Sequence, residues 1–120
     1  MKSATILVID DEESVRQALK RVLEDAGYQV AEAGNGRQGL ELFRATPADL
    51  VITDIEMPEM DGLVLILELT RAFLNVKVIA VSGLASNELQ AAKLLGARST
   101  FSKPLDLPVL LRAIAYELKH

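Results

Sequence analysis

The chain contains no cysteine, and its only histidine, His120, is the last residue. Without cysteine it cannot form disulfides, thiolate zinc sites or cysteine nucleophiles, which fits a reducing compartment. A histidine at the end of the chain argues against histidine-based acid–base chemistry. No signal peptide heads the sequence, and no apolar run approaches the length needed to span a membrane. We therefore expect a cytoplasmic protein with no membrane partner.

The sequence also lacks an excess of positive charge. Thirteen lysine and arginine residues stand against seventeen aspartate and glutamate residues, which gives a net charge of -4. This balance does not favour binding to nucleic acid or to anionic membranes. Half of the 120 residues are apolar and a quarter are charged, so we expect one globular domain over residues 1–120. Any chemistry must then rest on carboxylates, hydroxyl groups and lysine.

Runs of β-forming residues alternate along the chain with segments of helical periodicity. We predict strands over residues 4–10, 28–33, 49–54, 77–83 and 99–102, each followed by a helix. Asp61 and Ser86 are expected to cap the third and fourth helices, and Pro108 suits the first turn of the fifth. Because the strands are almost continuously apolar, helices must cover both faces of a parallel sheet. The pattern therefore predicts an α/β fold built from five strand–helix units.

Polar side chains occupy the carboxyl ends of four of the predicted strands. Asp10 and Asp11 end the first strand, Asp54 the third, Ser82 the fourth and Lys103 the fifth. Taken singly, each is a common turn, cap or surface residue. The carboxyl ends of parallel strands share one edge of the sheet, however, and ligands bind at that edge in open α/β sheets. We therefore predict that the five side chains form one site.

Such a site suits the transfer of a phosphoryl group to a carboxylate. An oxygen of Asp54 can attack phosphorus and form an acyl phosphate, but the two anions repel each other. Asp10 and Asp11 form a hard oxygen cluster of the kind that holds Mg²⁺, with Asp54 as a further ligand. Lys103 supplies positive charge for another phosphoryl oxygen, and the hydroxyl of Ser82 can donate a hydrogen bond to a third.

Four segments, ILVIDDE, DLVITDIEMPEMDG, VIAVSG and GARSTFSKP in this order, resemble the receiver domain of two-component response regulators, in particular its chemotaxis members. The resemblance covers almost the whole chain. It implies a flavodoxin-like fold, with a doubly wound five-stranded parallel sheet in the order 2-1-3-4-5. It also implies that the peptide bond between Lys103 and Pro104 is cis.

The resemblance assigns a role to each predicted site residue. The implied roles are the phosphoacceptor at Asp54, the Mg²⁺-binding carboxylates at Asp10 and Asp11, a metal-binding backbone carbonyl at Glu56, the family's hydroxyl at Ser82 and its phosphate-contacting lysine at Lys103. A histidine kinase or phosphotransfer protein would supply the phosphoryl group, and phosphorylation would alter a surface that binds a downstream protein. Such a chain catalyses only its own gain and loss of phosphate and is otherwise not an enzyme.

One position departs from the family pattern. Receivers usually carry Phe or Tyr three residues before the lysine, where this chain has Thr100. Phe101 falls on the opposite face of the strand and is expected to pack into the core. We therefore expect Ser82, together with Thr100, to carry the response to phosphorylation. Pro58 and Gly62 also match the family, but ordinary loop and turn chemistry explains them equally well.

The third predicted helix carries more apolar residues than one buried face requires. Leu63, Ile66 and Leu69 suffice to cover the sheet, and Val64 and Leu67 add an apolar pair on a neighbouring face. Either the buried stripe is wide, or the pair forms a surface for a partner or for self-association.

Two other classes of protein share some of these features. A carboxylate-nucleophile phosphatase also uses aspartate and Mg²⁺, but it has a second catalytic aspartate two residues after the nucleophile, where this chain has Glu56. A flavodoxin-like binding module has a hydroxyl-rich or glycine-rich phosphate loop after the first strand. Residues 10–14 (DDEES) would instead repel a phosphate unless a metal intervenes. A flavin-bound module would also be yellow as purified.

Overall fold

The structure of the chain, a computed structural model, describes residues 3–83 and 86–120. In these ranges five strands alternate with five helices: β1 (Thr5–Ile9), α1 (Glu13–Asp25), β2 (Gln29–Ala33), α2 (Gly36–Ala45), β3 (Leu50–Asp54), α3 (Gly62–Ala72), β4 (Val78–Ser82), α4 (Ser86–Leu95), β5 (Ser99–Ser102) and α5 (Leu107–Lys119). Each pairing between these strands is parallel, and their order is β2-β1-β3-β4-β5. The predicted α/β fold and strand order are confirmed.

Local sequence signals set the ends of several helices. The side chain of Asp61 accepts a hydrogen bond from a backbone N–H in the first turn of α3, so the predicted cap is confirmed. Asn35 caps α2 in the same way, and Asp106 caps α5 just before a first turn that contains Pro108. The cap predicted at Ser86 depends on a side chain outside the described part of the structure, although α4 begins at that residue.

The sheet separates two apolar layers because side chains alternate between the faces of each strand. One face packs against buried residues of α2, α3 and α4, and the other packs against buried residues of α1 and α5. The alternation continues to the polar strand ends. Asp54 follows Leu50 and Ile52 on the α1–α5 face, whereas Ser82 follows Val78 and Ala80 on the α2–α4 face.

The buried face of α3 is rotated from the predicted one. Ile66 and Leu69 are fully buried, as predicted, whereas Leu63 is only partly buried. Leu65, which the prediction left out of the buried set, is fully buried as well. Val64 is 45% exposed, and the apolar stripe does not extend to it.

Within the described ranges, no helix is both long and apolar enough to cross a membrane.

A buried carboxylate, Glu117, lies on α5 near the amino ends of β4 and β5. Its Oε2 accepts a hydrogen bond from Ser99 Oγ at 3.4 Å, and its Oε1 lies 3.7 Å from Arg98 Nη1. Lys77 Nζ donates to the backbone carbonyl of Glu117 at 2.6 Å. These contacts tie the end of α5 to the sheet, at the end opposite to the predicted site.

Candidate functional site

The carboxyl ends of β1, β3 and β5 bring three of the predicted side chains into contact. Lys103 Nζ lies 3.2 Å from Asp10 Oδ2 and 3.4 Å from Asp54 Oδ2, so one ammonium group bridges two carboxylates. Asp10 and Asp54 are only 3% and 4% exposed. Asp11 joins the cluster from an exposed position. The predicted convergence at this edge of the sheet is confirmed for these four residues.

Backbone contacts hold Asp10 in place at the start of the loop after β1. Its N–H donates to the carbonyl of Ala33 at 3.2 Å, which extends the pairing of β1 with β2. Its Oδ1 accepts from the backbone N–H of Glu12 at 2.9 Å, and its carbonyl accepts from Arg16 Nη1 at 2.8 Å. Because both sides of the residue are fixed, the carboxylate points toward Asp54 rather than toward solvent.

The loop after β3 returns closely to the strand that carries Asp54. The N–H of Gly62 donates to the carbonyl of Ile55 at 2.9 Å. A Cβ atom at Gly62 would lie 2.3 Å from the carbonyl oxygen of Asp54, which is far inside van der Waals contact. Gly62 therefore has a packing role beyond turn formation, and the sequence motif alone did not reveal it. Pro58, by contrast, is exposed.

The carboxylates of Asp10, Asp11 and Asp54 fit a divalent cation. One oxygen from each lies within 4.8 Å of the others. Among the described residues, Oδ1 of Asp54 is a buried oxygen without a hydrogen-bond partner, which is costly unless a ligand satisfies it. Carboxylate oxygens are the ligands that Mg²⁺ prefers. The residues present thus match the predicted Mg²⁺ site in donor type, placement and unmet bonding capacity.

The acidic surroundings change the protonation of the site. Burial of the carboxylate and repulsion by Asp10 and Glu56 outweigh the attraction of Lys103, and they raise the pKa of Asp54 from 3.8 to about 6. Burial alone would lower the pKa of Lys103, but Asp10 and Asp54 raise it above its ordinary value. At neutral pH Lys103 is therefore charged and most Asp54 side chains are ionised.

The side chain of Glu56 makes contacts that the sequence did not predict. Its Oε2 accepts a hydrogen bond from Ser82 Oγ at 2.5 Å, and its Oε1 accepts one from the backbone N–H of Gly83 at 3.0 Å. The resemblance implied a role only for the backbone carbonyl of Glu56. Ser82 itself is fully buried at the end of β4, beside the strand that carries Asp54.

Thr100, which stands where receivers usually carry an aromatic residue, and Phe101 lie on opposite faces of β5. Thr100 is paired in register with Ala80, on the α2–α4 face, and is partly buried. Phe101 packs against the apolar layer of α1 and α5, as predicted. The peptide bond between Lys103 and Pro104 is cis, which confirms the expectation drawn from the resemblance.

Comparison with known proteins agrees with this geometry. The sequence matches the family model for the response regulator receiver domain over residues 6–115. It is 39% identical over 118 residues to the chemotaxis protein CheY of Treponema pallidum (strain Nichols), and the match covers 95% of this chain and 82% of that protein. It is 32% identical over 115 residues to the sporulation initiation phosphotransferase F of Bacillus subtilis (strain 168), with 95% and 93% covered.

A solved structure with a similar fold is that of the response regulator protein TrrA from Thermotoga maritima, in complex with Mg(2+)-BeF. The TM-score is 0.88 and the identity 30%, with 95% of this chain and 98% of that chain covered. The receiver match spans the strands that carry the acidic cluster and Lys103. The chain therefore belongs to the family of response regulator receiver domains, which act in two-component and phosphorelay signalling.

Proposed function

We propose that Asp54 accepts a phosphoryl group from a histidine kinase or a phosphotransfer protein, and that the phosphorylated chain signals through altered protein contacts. The observation that carries this proposal is the buried Oδ1 of Asp54, which has no hydrogen-bond partner among the described residues and lies in a cluster with Asp10, Asp11 and Lys103. Nucleophilic attack and metal binding both draw on carboxylate lone pairs. Among the described residues only Lys103 contacts this carboxylate, through Oδ2, so its two oxygens have capacity for both roles.

The transfer is a displacement at phosphorus. An oxygen of Asp54 forms a P–O bond while the P–N bond of the donor phosphohistidine breaks, and the electron pair of that bond stays on the imidazole. Asp54 must be ionised to attack, and with a pKa of about 6 it is mostly ionised at neutral pH. Lys103 already contacts Asp54, so a small movement brings its ammonium group to a phosphoryl oxygen.

The reaction is proposed to depend on Mg²⁺, held by Asp10, Asp11 and Asp54 together with the backbone carbonyl of Glu56. When bound, Mg²⁺ supplies the positive charge that offsets the repulsion between the carboxylate and the incoming phosphoryl group. Asp10 would contribute a carboxylate ligand while its Oδ1 still accepts a hydrogen bond from the backbone N–H of Glu12. This hydrogen bond keeps the orientation of the carboxylate fixed.

The response to phosphorylation is proposed to begin at Ser82, whose hydroxyl can be drawn toward a phosphoryl oxygen, with Thr100 adjusting on the same face of the sheet. Downstream proteins would bind the surface that changes. The name of the Bacillus subtilis relative, a phosphotransferase, supports the view that exchange partners include phosphotransfer proteins as well as kinases. We expect this exchange in the cytoplasm.

The proposal is tested by treating the protein with acetyl phosphate and Mg²⁺ and measuring its intact mass. We expect one added phosphoryl group in the wild type and none after Asp54→Asn or after chelation of the metal. Asp61→Asn is the matched control, because it makes the same change in the same loop and asparagine also caps helices. It should label like the wild type. Undiminished labelling of Asp54→Asn would show that another residue accepts the group.

A further inference from the structure

The carboxylate of Glu56 accepts hydrogen bonds from Ser82, where the proposed response to phosphorylation begins, and from the next residue, Gly83. Its Oε2 accepts from Ser82 Oγ at 2.5 Å, and its Oε1 accepts from the N–H of Gly83 at 3.0 Å. Glu56 is only partly buried, whereas Ser82 is fully buried. A charged side chain at the rim of the site thus reaches inward and occupies two donors at the end of β4.

These donors cannot serve two acceptors at once. A serine hydroxyl has a single proton, and so does the backbone N–H of a glycine. While Ser82 Oγ donates to Glu56, it cannot donate to a phosphoryl group on Asp54. Phosphorylation also adds negative charge next to Glu56, which already interacts electrostatically with Asp54. The phosphoryl group and the Glu56 carboxylate therefore compete for the same hydroxyl and repel each other.

We propose that Glu56 is a positioning residue that holds the unphosphorylated conformation, through a latch formed by its two hydrogen bonds from Ser82 and Gly83. This inference rests on the proposed function. Phosphorylation of Asp54 opens the latch by taking the Ser82 hydroxyl. Glu56 thereby sets how much of the free energy of phosphorylation is available to move Gly83.

The surroundings of the latch direct this movement to Gly83. The backbone carbonyl of Ser82 accepts a hydrogen bond from the N–H of Lys103 at 2.9 Å, so the strand end itself is fixed to β5. Gly83 is exposed, and among the described residues other than its chain neighbours the nearest atom to a Cβ built there is Lys103 Cδ, at 4.0 Å. Once Glu56 releases the N–H of Gly83, this residue has room to move while the carbonyl of Ser82 stays bound to Lys103.

The first test uses the free protein in the presence of a chelator, where neither metal nor phosphate contributes. We expect the amide of Gly83 to exchange its hydrogen about tenfold faster or more in Glu56→Ala than in the wild type, since it loses a charged acceptor. Its amide resonance should move in the direction that beryllium fluoride, a phosphoryl mimic, produces in the wild type. Glu12→Ala is the control, because Glu12 is an acidic neighbour of the site whose side chain forms no cap.

The second test measures the affinity of each variant for beryllium fluoride with Mg²⁺. Opening the latch in advance should make Glu56→Ala bind about tenfold more tightly. In a protein that also carries Ser82→Ala, Glu56→Ala should raise the affinity for beryllium fluoride about threefold or less. Glu56 then acts only through its charge and its contact with Gly83. Glu56→Gln keeps one acceptor oxygen and should fall between wild type and Glu56→Ala, and it replaces Glu56→Ala if that variant does not fold.

Two results would overturn the latch. One is a Gly83 amide that exchanges and resonates in Glu56→Ala as it does in the wild type. The other is an equal gain in affinity with and without the Ser82 hydroxyl, which would show that competition for this hydroxyl contributes nothing. Failure of the proposed function looks different, because the wild type itself would then neither accept a phosphoryl group at Asp54 nor respond to beryllium fluoride.

Discussion

Replacing Asp54 by asparagine is expected to make the metal-free protein more stable, although it removes the proposed phosphoacceptor. The carboxylate is buried beside Asp10, and its pKa is raised from 3.8 to about 6. Each unit by which a pKa rises on folding corresponds to about 1.4 kcal/mol, so the ionised group costs the folded state up to about 3 kcal/mol at pH 7. Asparagine still buries a polar amide and is a weaker partner for Lys103, so we expect a gain of about 1–3 kcal/mol.

The dependence of this gain on pH has a defined sign. The folded state binds a proton at Asp54 more tightly than the unfolded state does, because its pKa is raised. The stability that comes from this proton is fully present below pH 3.8 and is lost as the pH rises through about 6. The free energies of unfolding of Asp54→Asn and the wild type should therefore differ little at low pH and most at neutral pH.

Urea unfolding with a chelator present, at several pH values, measures the difference. Asp11→Asn is the matched control, because it removes a carboxylate from the same cluster at an exposed position. Its free energy of unfolding should rise by less than about 1 kcal/mol. Adding Mg²⁺ should stabilise the wild type more than Asp54→Asn, since the variant lacks one ligand. If Asp54→Asn is no more stable than wild type at pH 7 without metal, burial and repulsion by Asp10 do not destabilise the ionised carboxylate.

Three further variants test single contacts. Gly62→Ala should lower the free energy of unfolding in urea by more than about 2 kcal/mol, because its Cβ would meet the carbonyl of Asp54. Gly34→Ala is the control: a Cβ there makes only ordinary van der Waals contacts, so the loss should be less than about 1 kcal/mol. Lys103→Ala should raise the pKa of Asp54 above about 6 in a ¹³C carboxyl titration, and an unchanged value would contradict the ion pair. Glu117→Ala should lower the free energy of unfolding by about 1–3 kcal/mol by leaving its partners unpaired, and a neutral result would mean that water replaces it.

The sequence predicted the convergence of Asp10, Asp54 and Lys103 because a strong physical rule applies: apolar parallel strands align their carboxyl ends at one edge. It predicted α3 less well. Residues 63–67 are apolar at five successive positions, so nothing in the pattern decides which side faces the sheet, and Leu65 was missed. The side chain of Glu56 was missed for a related reason. It follows the end of β3, where no period defines the direction in which a side chain points.

The alternation of side chains along the strands places the proposed acceptor and the proposed reporter of its charge in different halves of the molecule. Asp54 stands above the layer of α1 and α5, and Ser82 stands above the layer of α2, α3 and α4. The residue proposed to accept the phosphoryl group and the residue proposed to respond to it are thus supported by different apolar layers, one on each face of the sheet. A lineage of such proteins can alter the readout layer to suit a new target while the half that performs the chemistry stays unchanged.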